Sequence, residues 1–362
     1  MKKSRHHYVP KLYLRNFASA HRRINILNLK KGEFHQDGSL KDQCFRPKFY
    51  GKDDDVENHL MNIEGLVAPT LSSIIKGSVL PKPSSDEHKH LLIFVALQIL
   101  RTGVAADSVA EGLNKVIDNV APRDKDMTAN KEAYLTESNE AVLLLLQNYP
   151  LIAMCLDDLG MLLLINKTAE GFVTSDNPIV QYNQYLEGLK MGTTGALRRG
   201  LQLFLPLSPK HLILFYDTHI YKLLSKNKPS LDVSNPNDVF TLNLLQAINA
   251  DKVVLFSRWE EVGKLRQVLN KSVRFRRNEL ARVEEYFAED DPQHHSLLQM
   301  YSVPLNIKLS LSFMRLRRRV QGIPRNERAI EYRKPIGPEN TSSAGNKAVR
   351  KFVRRDLLPD SE

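Results

Sequence analysis

Cysteine is scarce: two residues in 362, Cys44 and Cys155. They lie far apart and neither belongs to a paired motif. This argues against a disulfide scaffold or a cysteine-ligated zinc site and suits a reducing cytoplasm. Long apolar runs are also missing. The longest, Leu91–Leu100 and Met161–Ile165, fall short of membrane-spanning length. The basic opening MKKSRHHYVP has no apolar segment of the kind a secretion signal needs. The expected setting is the cytoplasm, without membrane contact. There is no internal repeat, and no HExxH, CxxC pair, GxSxG or GxGxxG in a suitable context. The glycine-dotted loop over 187–200, with Arg198 and Arg199, lacks the Gly-Lys-Ser/Thr ending of a phosphate loop.

The chain does have a 42% apolar fraction, enough for a proper core, and a net charge of +11. That charge is unevenly placed. Residues 314–362 carry thirteen Lys/Arg against six Asp/Glu, and most of the remaining excess lies in the first sixty residues. The middle is close to neutral, so the basic balance describes two ends and does not by itself show that the folded body grips nucleic acid.

Read in order, the pattern is helices first and strands later. Arg23–Leu29 reads as a strand, with a second near Phe34. Val56, Leu60, Ile63, Val67, Leu71 and Ile74 form one helical stripe ending near Gly77. Ser84-Ser85-Asp86-Glu87 carries a capping-box spacing and opens a helix that is apolar almost all round from Leu91 to Leu100. Helix is expected over Ala105–Val120, then a polar link over 121–130, then helix from about Glu132 to Gln147 and over Leu151–Leu159. The period then changes. Strands are expected at Gly160–Lys167, Gly171–Thr174, Leu201–Leu205, Leu212–Tyr216 and Lys252–Ser257, with a helix opened by Ser234-Asn235-Pro236. Glu279–Phe287 reads as helical, and the unbroken alternation of Leu305–Phe313 as a half-buried strand. From Pro324 on, Pro, Gly, Ser, Asn and charges dominate, with room for a short helix near Val349–Leu358. The pattern implies an α+β fold: a helical N-terminal half packed on a mixed or mainly antiparallel sheet. Residues 1–319 would form one domain and 320–362 a basic, largely disordered tail.

The stretch most suited to chemistry is His6-His7-Tyr8-Val9-Pro10 with Arg15 close behind. Pro10 fits the start of a short helix running through Phe17 and pushes the residues before it to extended geometry. Both imidazoles then lie near the positive end of a helix, which disfavours a second proton. A neutral imidazole suits a metal ligand or a general base, and equally a packed, capping histidine. Glu57 and Glu64 share one helix face, about 10 Å apart along the axis. They could meet the histidines or be an ordinary boundary pair. Gln98 and Arg101 are the polar exceptions on the apolar helix, and a guanidinium there demands a carboxylate or an anion. Thr174-Ser175-Asp176-Asn177-Pro178 follows a strand, where it could form a plain turn or place Asp176 in a site.

These residues resemble a known family. His6-His7-Tyr8-Val9-Pro10 with Tyr13-Leu14-Arg15-Asn16-Phe17 is similar to the opening of the bacterial domain-of-unknown-function family four-two-three-eight. Its other marks follow in order: Phe49-Tyr50, Glu57 with Leu60 and Glu64, Gln98 and Arg101, Thr174–Pro178, Leu205-Pro206-Leu207-Ser208-Pro209, and Asn243. The likeness spans about residues 4–260. It carries no activity, but implies that these scattered polar residues converge. A second resemblance, to the His-Asn-His nucleases, rests on His-His-x-x-Pro. Here too few residues precede His6, and proline leads into helix where those enzymes have strand.

The resulting expectation is a hydrolase, metal-assisted and acting on nucleic-acid phosphodiesters, with a role in bacterial defence or as a toxin. His6, His7, Glu57, Glu64 and Asp176 would be catalytic, with a divalent ion held by His6, His7, Glu57 and Asp176. Gln98, Arg101, Ser175 and Asn177 would hold the substrate anion, and Tyr8, Pro10, Arg15, Ser208 and Asn243 would support the site. The alternative is a non-catalytic module in which the same set is a structural network or a small-anion pocket. In either case the basic tail would bind nucleic acid or a partner.

Overall fold

A computed structural model describes residues 5–19, 21–225, 228–288, 296–322 and 332–333, and the backbone of 352–354. In chain order the elements are β1 (Arg5–His7), α1 (Lys11–Leu14), β2 (Arg23–Asn28), β3 (Glu33–Ser39), β4 (Phe45–Pro47), α2 (Asp55–Gly77), α3 (Asp86–Leu100), α4 (Gly103–Val120), α5 (Lys125–Ala129), α6 (Ser138–Leu146) and α7 (Tyr149–Cys155). There follow β5 (Gly160–Asn166), β6 (Thr174–Ser175), β7 (Val180–Tyr182), β8 (Gln202–Ser208), β9 (His211–Tyr216), β10 (Tyr221–Leu223), β11 (Ser230–Val233), α8 (Pro236–Asn249), β12 (Val253–Phe256), α9 (Val262–Ser272), β13 (Ala281–Ala288), β14 (Ser296–Ser302), β15 (Met314–Leu316) and β16 (Phe352–Arg354). The fold is α+β, with helices dominating the first half.

The central layer is a five-stranded sheet ordered β11-β5-β9-β8-β7, antiparallel except for the β11–β5 pair. Side chains alternate across a strand, and here both faces are buried. Leu203, Leu205, Leu207, Ile213 and Phe215 join a core with Tyr13, Phe17, Phe94 and Leu71 from the N-terminal segment, α3 and α2. Phe204, Leu212 and Leu214 point the other way, into a second core with Val239, Leu242 and Leu245 of α8. Two covered faces explain why β8 and β9 are apolar without alternation. A four-stranded antiparallel sheet, β3-β2-β12-β6, flanks this layer and joins the N-terminal strands to Thr174-Ser175. Among the described residues, no single helix is long and apolar enough to cross a membrane.

The helix starts follow local chemistry. Ser85 caps α3 by accepting from the His88 amide, Thr102 caps α4 through Ala105, and Asn235 caps α8. Several expectations are corrected. Glu279–Phe287 is not helical: Ala281–Ala288 is a strand, paired with β14 from Ala281 to Phe287, and this cross-strand pairing overrides its helix-forming glutamates. Leu305–Phe313 does alternate, with Leu305, Leu309, Leu311 and Phe313 buried, but it joins no sheet. Side chains bind its backbone instead: Glu187 accepts from the Leu309 amide at 2.8 Å, Asp238 from the Ser312 amide at 2.9 Å, and Gln184 donates to the Leu309 carbonyl at 2.8 Å. It is a strap laid over the second core. The helix expected from Glu132 begins only at Ser138, and the 121–130 link contains α5. Phe352–Arg354, placed in a short helix by sequence, is extended and pairs with β13.

Most of the tail lies outside the described residues. Within it, Arg333 is buried and donates to the Asp158 carboxylate at 2.8 Å and to the carbonyls of Cys155, Ala196 and Arg198. The chain past residue 320 therefore returns to the body.

Candidate functional site

The opening strand β1 pairs antiparallel with β4, setting His6 opposite Arg46 and His7 opposite Phe45. Pro10 then starts α1, and a turn of 3-10 helix carries the chain to Phe17. All four residues from His6 to Val9 are buried, so alternation does not split them into an inner and an outer face.

His6 is completely enclosed. Its Nδ1 accepts from the Tyr50 amide at 3.0 Å, and its ring stacks on that of Tyr50 at 5.5 Å. The Tyr50 amide follows a turn in which Lys48 has φ +50°, and it lies outside any ladder. A buried amide needs an acceptor, and the imidazole supplies it. His7 donates from Nε2 to the Lys41 carbonyl at 3.2 Å, which fixes the tautomer and leaves Nδ1 unprotonated. Burial, and next the Lys11 ammonium, pull its pKa below the ordinary histidine value. The imidazole is neutral, as the sequence suggested, but burial contributes more to this than the helix does.

Arg101 ends α3 and is 1% exposed. It donates to Glu64 at 2.8 Å, to the His7 carbonyl at 2.6 Å and to the Tyr50 hydroxyl at 3.3 Å. Its counter-charge is thus Glu64, and it is closed to any ligand. Three consecutive motifs and the opening one meet at this guanidinium: His7, Tyr50, Glu64 and Arg101. Gln98, one turn earlier, is fully buried, and neither of its side-chain polar atoms has a partner among the described residues. It does not face solvent, where an anion would arrive.

A second hub uses the Thr174–Pro178 stretch. The Tyr13 hydroxyl bonds Thr174 Oγ1 at 2.8 Å and donates to the Pro206 carbonyl at 2.5 Å, joining the opening motif to two later ones. Asp176, 1% exposed, accepts from the amides of Asp251, Lys252 and Val253. Burial pushes its carboxyl up to about 6, and these amides oppose the shift. Ser175 accepts from Gln246 at 2.7 Å, and Asn177 accepts from Thr102 at 3.2 Å and donates to the Asn249 carbonyl at 3.0 Å. Asn243 of α8 bonds Val173 and Gly171. Ser208 bonds Nδ1 of His211, whose Nε2 bonds Ser78 at the left-handed end of α2, each at 3.0 Å. Ser175, Asp176 and Asn177 therefore bind the strand–loop junction to α8 and β12. The reason is geometric: a strand that ends under a helix leaves many amides and carbonyls that only side chains can reach.

The expected metal centre is not assembled. Among the described residues, no group of three or more His, Cys, Asp or Glu side chains could hold a metal ion. The donors His6 and Asp176 are committed to backbone amides, and the residues present do not fit the ion.

What remains open is a depression of about 540 Å³ beside β1, α1 and α2. His7, Glu57 and Glu64 line it, as do Arg5, Lys11, Arg15 and Lys41. Four cations face two carboxylates, and Arg101 already neutralises Glu64. Arg5 reaches Asp42 at 2.6 Å, an exposed pair that adds little. Lys11 and Arg15 are exposed and have no carboxylate partner among the described residues. Lys11 was absent from the sequence-derived site, although its i,i+4 spacing to Arg15 after Pro10 places both on one helix face. Nothing local could have found Arg5 and Lys41, which come together where β1 runs beside the segment that leads into β4.

No curated protein and no solved structure matches the chain. A family model described as protein of unknown function (DUF4238) matches residues 5–260, the span that holds both hubs and the depression, and the chain belongs to that family.

Proposed function

We propose that the protein is an anion-binding module whose depression beside α1 receives a phosphate-bearing ligand on Arg5, Lys11, Arg15 and Lys41, over a rigid floor built on Arg101. The observation that carries this reading is the division of labour among the cations. The buried Arg101 is spent on Glu64, Tyr50 and His7, whereas Lys11 and Arg15 stand exposed at an open, net-positive surface. Guanidinium geometry suits phosphate, and ammonium groups add charge at short range. The test is calorimetric titration with pyrophosphate and with a short oligonucleotide. The double substitution Lys11→Ala, Arg15→Ala should weaken binding at least tenfold (roughly 1.4 kcal/mol or more) while leaving the melting temperature in place. Equal affinity in that variant would overturn the reading.

One observation favours a catalytic extension. His7 lines the same depression as a neutral imidazole with Nδ1 unprotonated, so it suits a general base for phosphodiester hydrolysis. Its metal-assisted form finds no support in the ligand geometry. Hydrolysis of bis(4-nitrophenyl) phosphate that His7→Asn abolishes would support the extension, and an inactive wild type would end it.

The thirteen Lys/Arg of residues 314–362 would add salt-dependent, sequence-independent attraction to nucleic acid. Neutralising Lys347, Arg350 and Lys351 to Gln spares the Arg333 anchor and should flatten the dependence of log Kd on log salt. An unchanged slope would remove nucleic acid from this proposal.

A further inference from the structure

We propose that a second cavity, lined by Thr102 but not by Arg101, binds a small anion carried on an apolar body, with Arg277 as its counter-charge. This cavity has a volume of about 410 Å³ and lies between α4, α7, the 192–201 loop and the segment that follows β14. The size is that of an ordinary small-molecule site. Ile99, Val104, Ile152, Leu156 and Leu201 give it an aliphatic wall. Two of the hydroxyls that line it are already engaged, Thr102 donating to Asn177 at 3.2 Å and Ser108 to the Leu280 carbonyl at 3.1 Å, whereas the buried Tyr301 hydroxyl has no partner among the described residues.

Arg277 is not satisfied in this way. It lines the cavity, and its side chain makes one hydrogen bond among the described residues, to the Val303 carbonyl at 3.0 Å. A guanidinium offers five N–H donors and keeps its charge. Its neighbour Arg276 is in the same position: Nη2 donates to the Asp251 carbonyl, and the buried Nη1 has no partner. Neither guanidinium has a carboxylate partner among the described residues. Arg46, Arg101 and Arg333 are handled differently, with Asp107, Glu64 and Asp158 against them. Arg277 is half-buried, and burial, and then Arg276, pull its pKa down to about 10, so its charge lacks the counter-ion that a bound anion would supply. Arg198 also lines the cavity, but its guanidinium lies over the Tyr332 ring at 4.5 Å. Arg277 beside aliphatic side chains therefore selects a small anion with an apolar body, such as a medium-chain carboxylate.

The test uses two fluorescent probes on the full chain. The first is 8-anilinonaphthalene-1-sulfonate, and the second is N-phenyl-1-naphthylamine, its counterpart without the sulfonate. The sulfonate should bind, decanoate should displace it, and Arg277→Gln should weaken it about tenfold while leaving the neutral probe unchanged. Ala105→Phe, which fills the cavity from α4, should exclude both probes without touching pyrophosphate binding beside α1. Three results would overturn the proposal: equal wild-type affinity for the two probes, an unchanged sulfonate affinity in Arg277→Gln, or a folded Ala105→Phe variant that still binds the sulfonate.

Discussion

Arg101 shows at the scale of one residue what the motif set does. A fully buried guanidinium is tolerable only when its donors and its charge are matched, and Glu64, Tyr50 and the His7 carbonyl match them. Removing it would strand a carboxylate at 18% exposure and free a buried carbonyl. Arg101→Gln should therefore cost about 3–5 kcal/mol of stability, read as a lower urea midpoint, and a loss below 1 kcal/mol would contradict the network. His6 makes a similar but smaller contribution. In His6→Ala the Tyr50 amide loses its acceptor, and a penalty of about 1–3 kcal/mol is expected. A catalytic histidine on the surface would give no such penalty, so the same unfolding measurement separates architecture from chemistry.

At the scale of elements, α8 is held by amide side chains. Asn249 donates to the carbonyls of Asn177 and Ile179, at 2.9 and 3.0 Å, and Gln246 donates to Ser175 and to the Asn177 carbonyl. Asn249→Ala should cost about 1–3 kcal/mol, and amide hydrogen exchange should quicken across 175–180. Protection left intact there would mean that the apolar face of α8 suffices alone. Elements were legible in the sequence wherever one face meets the core. The stripe Val56–Ile74 and the cap at Ser85 became α2 and α3. The sequence failed where a partner decides. Residues 281–288 become a strand because β14 lies beside them, and 305–313 stay unpaired because Glu187 and Asp238 take the place of a neighbouring strand. The polar motifs were likewise visible as motifs, but their division into buried hubs and one open depression was not. Burial of His6, Gln98 and Asp176 depends on packing between segments more than forty residues apart, and no spacing encodes it.

For the whole molecule, the buried histidines set the response to pH. His7, His88 and His211 are each less than a tenth exposed, and burial is the largest cause pulling each pKa below 6.5. His88 Nδ1 accepts from the Ser84 amide, so a proton taken up there would break that contact. His211 bonds two serine hydroxyls, which can turn to accept, so burial is the main force opposing its protonation. The unfolded chain titrates these groups at their ordinary value. As pH falls below about 6.5, it binds protons that the folded protein refuses, and stability falls. Above that value all three are neutral in both states, and their contribution is fully present. Asp176 works in the opposite sense. With its carboxyl near 6, the folded state binds its proton first, so this group's contribution is lost as pH rises through 6. The three histidines act across the window from about pH 7.5 to about 6.0 whereas Asp176 titrates only at its lower edge, so stability should fall across it. Urea unfolding at those two pH values measures it. His88→Gln should flatten the dependence, since one of the three histidines that drive it is gone. A stability that rises on acidification across this window would mean that Asp176, and not the histidines, governs the linkage.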